Sequence, residues 1–271
     1  RRSVEMMIQE DEFAAFRIAQ QLEDENRKRR IYDQQSFEEA IPMADALLAG
    51  KDRRSLVIHG PDWHAGVIGI VASRLVDRYH LPTVLLTTID GHAKGSARSI
   101  SDFDIHTALK TCENMLIEFG GHKHAAGLSL EIKNLDEFRE AFDELARKQI
   151  SREMLVPEIQ IDSELQFNEL SPQFFKVLNQ FAPFGFVNNK PIFISHGVKS
   201  VNGVKIVGSN SIRFRAIQNH FVIDAVGQNL AEKIAVCSGG KSFSIVYNLE
   251  THSFNGQKAP QLAIKDLRPD E

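Results

Sequence analysis

Ser55–Leu56–Val57–Ile58–His59 leads, across Gly60–Pro61, into Asp62–Trp63–His64–Ala65–Gly66–Val67–Ile68–Gly69–Ile70–Val71. The first five residues read as a strand. The second run reads as a helix start, continuing to Leu75, with Val67, Ile70, Val71 and Leu75 at helical spacing. Strands and helices in alternation build an α/β domain, whose ligands bind beyond the carboxyl ends of the strands. Gly66 stands at the helix start, where backbone N–H groups are open to a phosphate. Trp63, the only tryptophan, and His64 stand beside it. A structural tryptophan next to a hydrogen-bonded histidine accounts for that pair equally well.

Outward from this unit the alternation continues. Pro82 opens a strand over Thr83–Val84–Leu85–Leu86–Thr87. Ile105, Ala108, Leu109, Cys112, Leu116 and Phe119 lie on one face of a helix that ends at Gly120. A short strand follows near Leu128–Ile132. The next helix opens at Asn134 with Glu137 as a capping box and buries Leu135, Phe138, Phe142 and Leu145. Residues 51–150 are therefore expected to form an α/β domain. Residues 1–50 read as charged helices, with Ala15, Ile18, Ala19 and Leu22 in one apolar run and Phe37 to Leu48 in a second that stops at Gly50. A charged helix starting abruptly at Arg1 suggests a connector from a larger protein; an ordinary N-terminal helix is the other account.

Residues 151–271 open with a polar linker ending near Pro157 and then carry many short strands: Ile192–His196, Val204–Val207, Ile212–Ile217, Phe221–Val226, Phe243–Leu249 and Leu262–Leu267. In Ile212–Arg213–Phe214–Arg215–Ala216–Ile217 alternation puts both arginines on one face. Asn202–Gly203 and Asn255–Gly256 are hairpin-turn signals. Ser171–Pro172 is a good cap and first residue for a helix. This pattern predicts an all-β, OB-like barrel.

Composition sets the class. The 271 residues, 42% hydrophobic and 25% charged, are those of a soluble globular protein. No apolar run is long enough for a membrane span and no secretory start is visible. Cys112 and Cys237 have no metal-ligand spacing, and Cys112 on a helix face reads as a buried reduced thiol, which fits a cytoplasmic location. A net charge of −4 argues against coating nucleic acid by bulk charge. Yet from Ser171 through Ile223 there is no acid, while Lys176, Lys190, Lys199, Lys205, Arg213 and Arg215 interleave with Phe181, Phe184, Phe186, Phe193 and Phe214. Cations that track phosphates and rings that stack on bases make a single-strand groove. Core phenylalanines beside a solvated basic face are the alternative.

Two further stretches carry chemistry. Gly95–Ser96–Ala97–Arg98–Ser99 reads as a small-residue loop whose arginine offers a forked contact to a phosphate. In Phe119–Gly120–Gly121–His122–Lys123–His124–Ala125–Ala126–Gly127 the glycines end the preceding helix, Ala-Ala-Gly allows close backbone approach, and His122, Lys123 and His124 offer donors at one rim. With no thiolate or carboxylate beside them, these histidines fit an anion loop better than a zinc site.

The stretch from Gly120 to Gly127 resembles the Gly-Gly-His-x-x-Ala-Ala-Gly signature of the DHHA1 domain, which accompanies the Asp-His-His (DHH) phosphoesterases. Asp62–Trp63–His64 with Gly66 to Leu75, and Gly95 to Ser99, resemble its RecJ version. Ala182–Pro183–Phe184–Gly185 with Asn188 and Pro191 is similar to the opening of the RecJ OB domain, departing from it at Phe186–Val187. Glu10–Asp11–Glu12 and Asn26 to Arg30 resemble the RecJ connector.

The resemblance implies the C-terminal part of a bacterial RecJ-type exonuclease that degrades single-stranded DNA 5′→3′ in recombination and repair. The complete enzyme uses Mn2+ or Mg2+ held by an N-terminal DHH domain, and single-strand-binding protein is a further candidate partner. No Asp-His-His occurs here, so no catalytic or metal residues and no cofactor are expected in this chain, and no membrane partner. His64, Gly66, Ser96, Arg98, Ser99, Gly121, His122 and Ala125 are the expected phosphate contacts. Phe186, Lys190, Lys205, Arg213 and Arg215 are expected along a single-strand groove. Two alternatives stand beside this: a non-catalytic single-strand-binding module, and a DHH-family phosphoesterase of oligoribonucleotides or small nucleotides.

Overall fold

The computed structural model describes residues 2–185, 187–208, 210–254 and 257–270. The chain divides into two compact units, Arg1–Pro157 and Glu158–Glu271.

In the first unit, α1 (Arg2–Met7) precedes α2 (Glu12–Leu48), and the two expected helical runs are one 37-residue helix, about 55 Å long at the standard rise. Asp11 caps its start by accepting the Phe13 N–H at 3.0 Å. Its only buried residues are Ser36, Ala40 and Ala44, small and four apart, so this one face can press close against the rest of the unit.

The remaining elements are β1 (Leu56–His59), α3 (Ile68–Tyr79), β2 (Thr83–Ile89), β3 (His92–Arg98), α4 (Ile105–Thr111), β4 (Glu118–His122), β5 (Ala125–Glu131) and α5 (Leu135–Gln149). The sheet order is β1-β2-β3-β5-β4, with β1 and β2 parallel and the other neighbours antiparallel. One face carries Val84, Leu86, Ala93, Ala97, Ala126, Leu128 and Leu130 against Ile105, Leu109, Phe138 and Phe142 of α4 and α5. The other face packs Leu56, Ile58 and Leu85 against α3 and the buried alanines of α2. No described residue of β3, β4 or β5 belongs to that second core, although α3 lies against β3 as well as β2.

Asp143 ties α5 to the start of β1. Its buried Oδ1 accepts the N–H groups of Arg54 and Ser55 at 2.9 and 3.1 Å and the Ser55 hydroxyl at 3.1 Å. Its Oδ2 faces Arg53 and Arg147 at 3.7 and 3.3 Å.

Three sequence expectations fail here. The helix predicted to reach Gly120 stops at Thr111; Leu116 is extended and Phe119 belongs to β4. Leu116 and Phe119 reach the same core from the sheet side, which imitates helical spacing. Gly95–Ser99 is not a loop but largely the end of β3. The capping box at Asn134 is not made, because a 3₁₀ turn over Ile132–Asn134 holds Asn134 in helical rather than extended backbone.

The second unit contains β6 (Ser163–Glu164), α6 (Pro172–Asn179), β7 (Phe193–Val207), β8 (Ser211–Gln218), β9 (Phe221–Gly227), α7 (Ile234–Ser238), β10 (Phe243–Phe254) and β11 (Gln257–Pro269). Strands β7-β8-β9-β11-β10 pair in turn, and β10 returns to β7, closing a five-stranded barrel. The parallel β9–β11 pair and the helix between β9 and β10 give it OB-like topology. Ser171 caps α6 as expected, accepting the Phe174 N–H at 3.2 Å.

The strands expected at 192–196 and 204–207 are one long β7. Asn202–Gly203 is a bulge rather than a hairpin: from Val201 to Lys205 the strand advances four residues while its partner β8 goes only from Arg215 to Arg213. Both residues have positive φ, 62° and 77°, which explains why they carry a turn signature. The β8–β9 turn falls instead at Asn219–His220, also at positive φ. The Asn255–Gly256 turn lies outside the described residues.

Candidate phosphate-binding cleft

Because β-strand side chains alternate, Lys94, Ser96 and Arg98 of β3 point to one face while Gly95 and Ala97 point to the core. The core side is tight: a Cβ at Gly95 would come within 2.7 Å of Leu86 Cδ2 and 3.0 Å of the Leu85 carbonyl oxygen. The antiparallel register sets Arg98 opposite Ala125 and Ser96 opposite Gly127, and these in turn opposite His122 and Gly120 of β4. The floor beside Ser96 thus consists of two glycines side by side, with open space above Gly120.

The wall is the start of α3. Its N-cap, Val67, supplies no side-chain hydrogen bond, and the first N–H groups of a helix have no carbonyl within it to bond. Gly69 in that first turn faces Arg98 closely: a Cβ there would lie 2.8 Å from Arg98 Nη2 and 2.9 Å from Ser96 Oγ. Arg98 Nη1 donates to Ser96 Oγ and to the Ala97 carbonyl, each at 2.8 Å. Ser96 Oγ accepts that bond, so its own proton is available to a ligand. Among the described residues no carboxylate pairs with Arg98. Burial pushes its pKa down, yet an arginine stays charged at neutral pH. The result is a cleft of about 700 Å³ with a partly buried, unpaired cation, a hydroxyl donor and a helix N-terminus at one wall. A cation, a hydroxyl donor and free helix N–H groups are the chemistry that an anion such as phosphate calls for.

Of the sequence candidates, Gly66, Ser96 and Arg98 line this cleft, and His64, Ser99, Gly121, His122 and Ala125 do not. The Gly66 N–H is taken: it donates to His64 Nδ1 at 3.0 Å, so the helix donors left to a ligand are those of Ile68 and Gly69. This bond makes Nδ1 the acceptor, leaving Nε2 to carry the proton. The His64 ring also stacks on Tyr32 of α2, with centroids 5.2 Å apart and planes 11° apart. Ser99 is committed to its loop, its hydroxyl donating to the Phe103 carbonyl at 2.6 Å and its N–H to the His124 carbonyl. His122 Nδ1 accepts the His124 N–H at 3.3 Å at an exposed rim. Gly121 has φ +149°, and a Cβ there would lie 2.4 Å from the Ala125 carbonyl oxygen. Trp63 is structural: buried, it donates Nε1–H to Glu39 at 2.8 Å.

Sequence reading missed Gly69, Lys94, Gly120 and Gly127 as cleft residues. The alternation 94–96–98 was visible and would have placed Lys94; the cross-strand register that pairs Gly120 with Gly127 was not.

In the barrel, Arg213 and Arg215 do point outward from β8, but they flank Asp224 of β9 at 3.6 and 3.9 Å. Lys190 pairs with Glu250 at 3.1 Å, while Lys205 sits exposed across from Arg213. The acid-free stretch is therefore supplied with acids by neighbouring strands. Phe193 and Phe214 are barrel core, Phe181 is exposed, and Phe186 lies outside the described residues.

Comparison with known proteins agrees with this architecture. The DHHA1 domain family matches residues 53–148 and the RecJ OB domain family residues 161–266. The single-stranded-DNA-specific exonuclease RecJ of Bacillus subtilis is 32% identical over 99% of this chain and 34% of its own length. The Escherichia coli protein of that name is 28% identical over 93% of this chain and 45% of its own length. The chain thus spans between a third and a half of the length of these relatives. A crystal structure of RecJ with Mn2+ from Thermus thermophilus shares the fold over the whole chain, with a TM-score of 0.79 at 23% identity, and the match covers 38% of that structure's chain. With a DHHA1 domain followed by a RecJ OB domain, the chain belongs to the RecJ family.

Proposed function

We propose that this chain is the substrate-holding part of a bacterial RecJ-type 5′→3′ single-stranded-DNA exonuclease acting in recombination and repair. In this reading the first unit grips strand phosphates opposite a metal-bearing DHH domain of the complete enzyme. The barrel offers a second surface to single-stranded DNA along the outer face of β7 and β8, at Lys205 of β7 and the exposed Arg213 and Arg215 of β8. The observation that carries the reading is Arg98: a partly buried guanidinium without a carboxylate, braced on Ser96 over Gly69, above a floor of glycines.

The complete enzyme would use Mn2+ or Mg2+. Among the described residues no group of three or more His, Cys, Asp or Glu is placed to hold an ion, and in this reading the ion's ligands belong to the DHH domain. Its contribution is to bind and orient: Arg98 and Ser96 fix a phosphate, and the bare floor lets the sugar-phosphate chain approach the sheet.

Arg98→Ala tests this. Binding of the chain to 3′-labelled oligonucleotides should fall by roughly ten- to a hundredfold when they carry a 5′-phosphate, the worth of one charge-assisted contact. Unphosphorylated strands should lose much less. Equal losses on both would sink the terminal-phosphate assignment. Manganese-dependent cleavage by the pure chain would overturn its non-catalytic part.

A further inference from the structure

The cleft holds a second cation that the reading above leaves unused. Lys94 lines it, is exposed, and has no carboxylate partner among the described residues. It shares a face of β3 with Ser96 and Arg98. Because the Arg98 guanidinium folds back onto Ser96, its charge sits over position 96 rather than over its own Cα. From position 96 to position 94 the strand advances about 6.6 Å, a length comparable with roughly one nucleotide step of an extended single strand. The floor beside position 96 is Gly127 and Gly120, which leave room for a sugar-phosphate chain to lie flat, and beside position 94 it is the buried Ser129.

We infer that Lys94 holds the backbone phosphate next to the one taken by Arg98, so that a single strand lies along β3 over the glycine floor. This rests on the phosphate assignment of Arg98. Glu118 adds direction: it sits in the same cross-strand row as Lys94, beyond Ser129. A carboxylate on the β4 side repels phosphates, which keeps the chain over β3 and β5 rather than letting it drift across β4.

The test is the length dependence of binding by the 271-residue chain. Ligands are a nucleoside 5′-monophosphate and 5′-phosphorylated oligodeoxynucleotides of two, three and six residues, measured by calorimetry. Lys94→Ala should leave the monophosphate unchanged and weaken the oligonucleotides about three- to tenfold. The slope of log affinity against log salt should drop by about one for the six-residue strand. Glu118→Gln should strengthen the same oligonucleotides without changing the monophosphate. Arg98→Ala, run in parallel, should weaken every ligand. A Lys94→Ala loss that is equal at all lengths, or absent at all lengths, overturns the Lys94 assignment while leaving Arg98 in place. Failure of Arg98→Ala to weaken any ligand overturns the reading underneath it. A circular-dichroism spectrum identical to that of the parent chain certifies each variant as folded.

Discussion

Gly120 and Gly121 are adjacent in the chain, and the structure assigns them opposite kinds of necessity. At Gly121, φ is +149° and a Cβ would lie 2.4 Å from the Ala125 carbonyl oxygen and 2.6 Å from Ala126 Cα. Both are backbone atoms of the paired strand β5, which cannot swing aside as a side chain can. Gly121→Ala therefore adds backbone strain of about 1–3 kcal/mol to an overpacking cost of about 1–3 kcal/mol. We expect a loss of about 4 kcal/mol for the first unit, or a drop in Tm on the order of 10 °C for a unit of this size. At Gly120 nothing lies within 4 Å of where a Cβ would stand and φ is not positive, so Gly120→Ala should change stability by less than about 1 kcal/mol. Its methyl would instead stand on the cleft floor and weaken oligonucleotide binding. Trp63, the single tryptophan, is buried in this unit, so its fluorescence in a urea titration reports the first unit separately from the barrel. A Gly121→Ala midpoint within about 1 kcal/mol of the parent would refute the steric account of the pair.

Three other outcomes follow from the same geometry. Gly69→Ala should leave the urea midpoint nearly unchanged, because its Cβ meets the movable ends of Arg98 and Ser96, but should cut 5′-phosphate binding severalfold by displacing them; unchanged binding would mean that Arg98 is not held there. Asp143→Asn should destabilise the first unit by about 2–4 kcal/mol in the same titration, since it strips charge from a buried carboxylate facing Arg53 and Arg147; a loss under about 1 kcal/mol would contradict its anchoring role. The backbone N–H of Thr107 holds the Asp104 carboxyl below the usual range. Its cap on α4 is therefore complete above the ordinary carboxylate pKa and is lost as pH falls through the lowered folded value. Asp104→Ala should cost about 1 kcal/mol near neutrality and nothing at the acid end; a cost independent of pH would refute the sign.

What the sequence revealed depended on the range of the interaction that decided each feature. The strand and helix after Ser55 were legible because period and burial are local, and so was the Ser171–Pro172 cap. Phe119 was misplaced because a core residue reached from a strand can fall at the same spacing as one on a helix, and the apolar pattern alone does not separate them. Asn202–Gly203 was misread for a related reason. Positive φ is what those residues announce, and a bulge within β7 uses it as readily as a hairpin does.

The charges sharpen this point. The acid-free run from Ser171 to Ile223 looked like a basic surface, yet Asp224 lies directly across from Arg215 and Glu250 reaches Lys190 from β10. Segregation along a chain is undone by strand pairing, which joins residues far apart in sequence. At the cleft, pairing works the other way. It brings no acid to Arg98, and it lays Gly120 beside Gly127 to clear the floor that the cation overlooks. An unpaired arginine is informative there because the register could have set an acid against it, as it set Asp224 against Arg213 and Arg215, and among the described residues it did not.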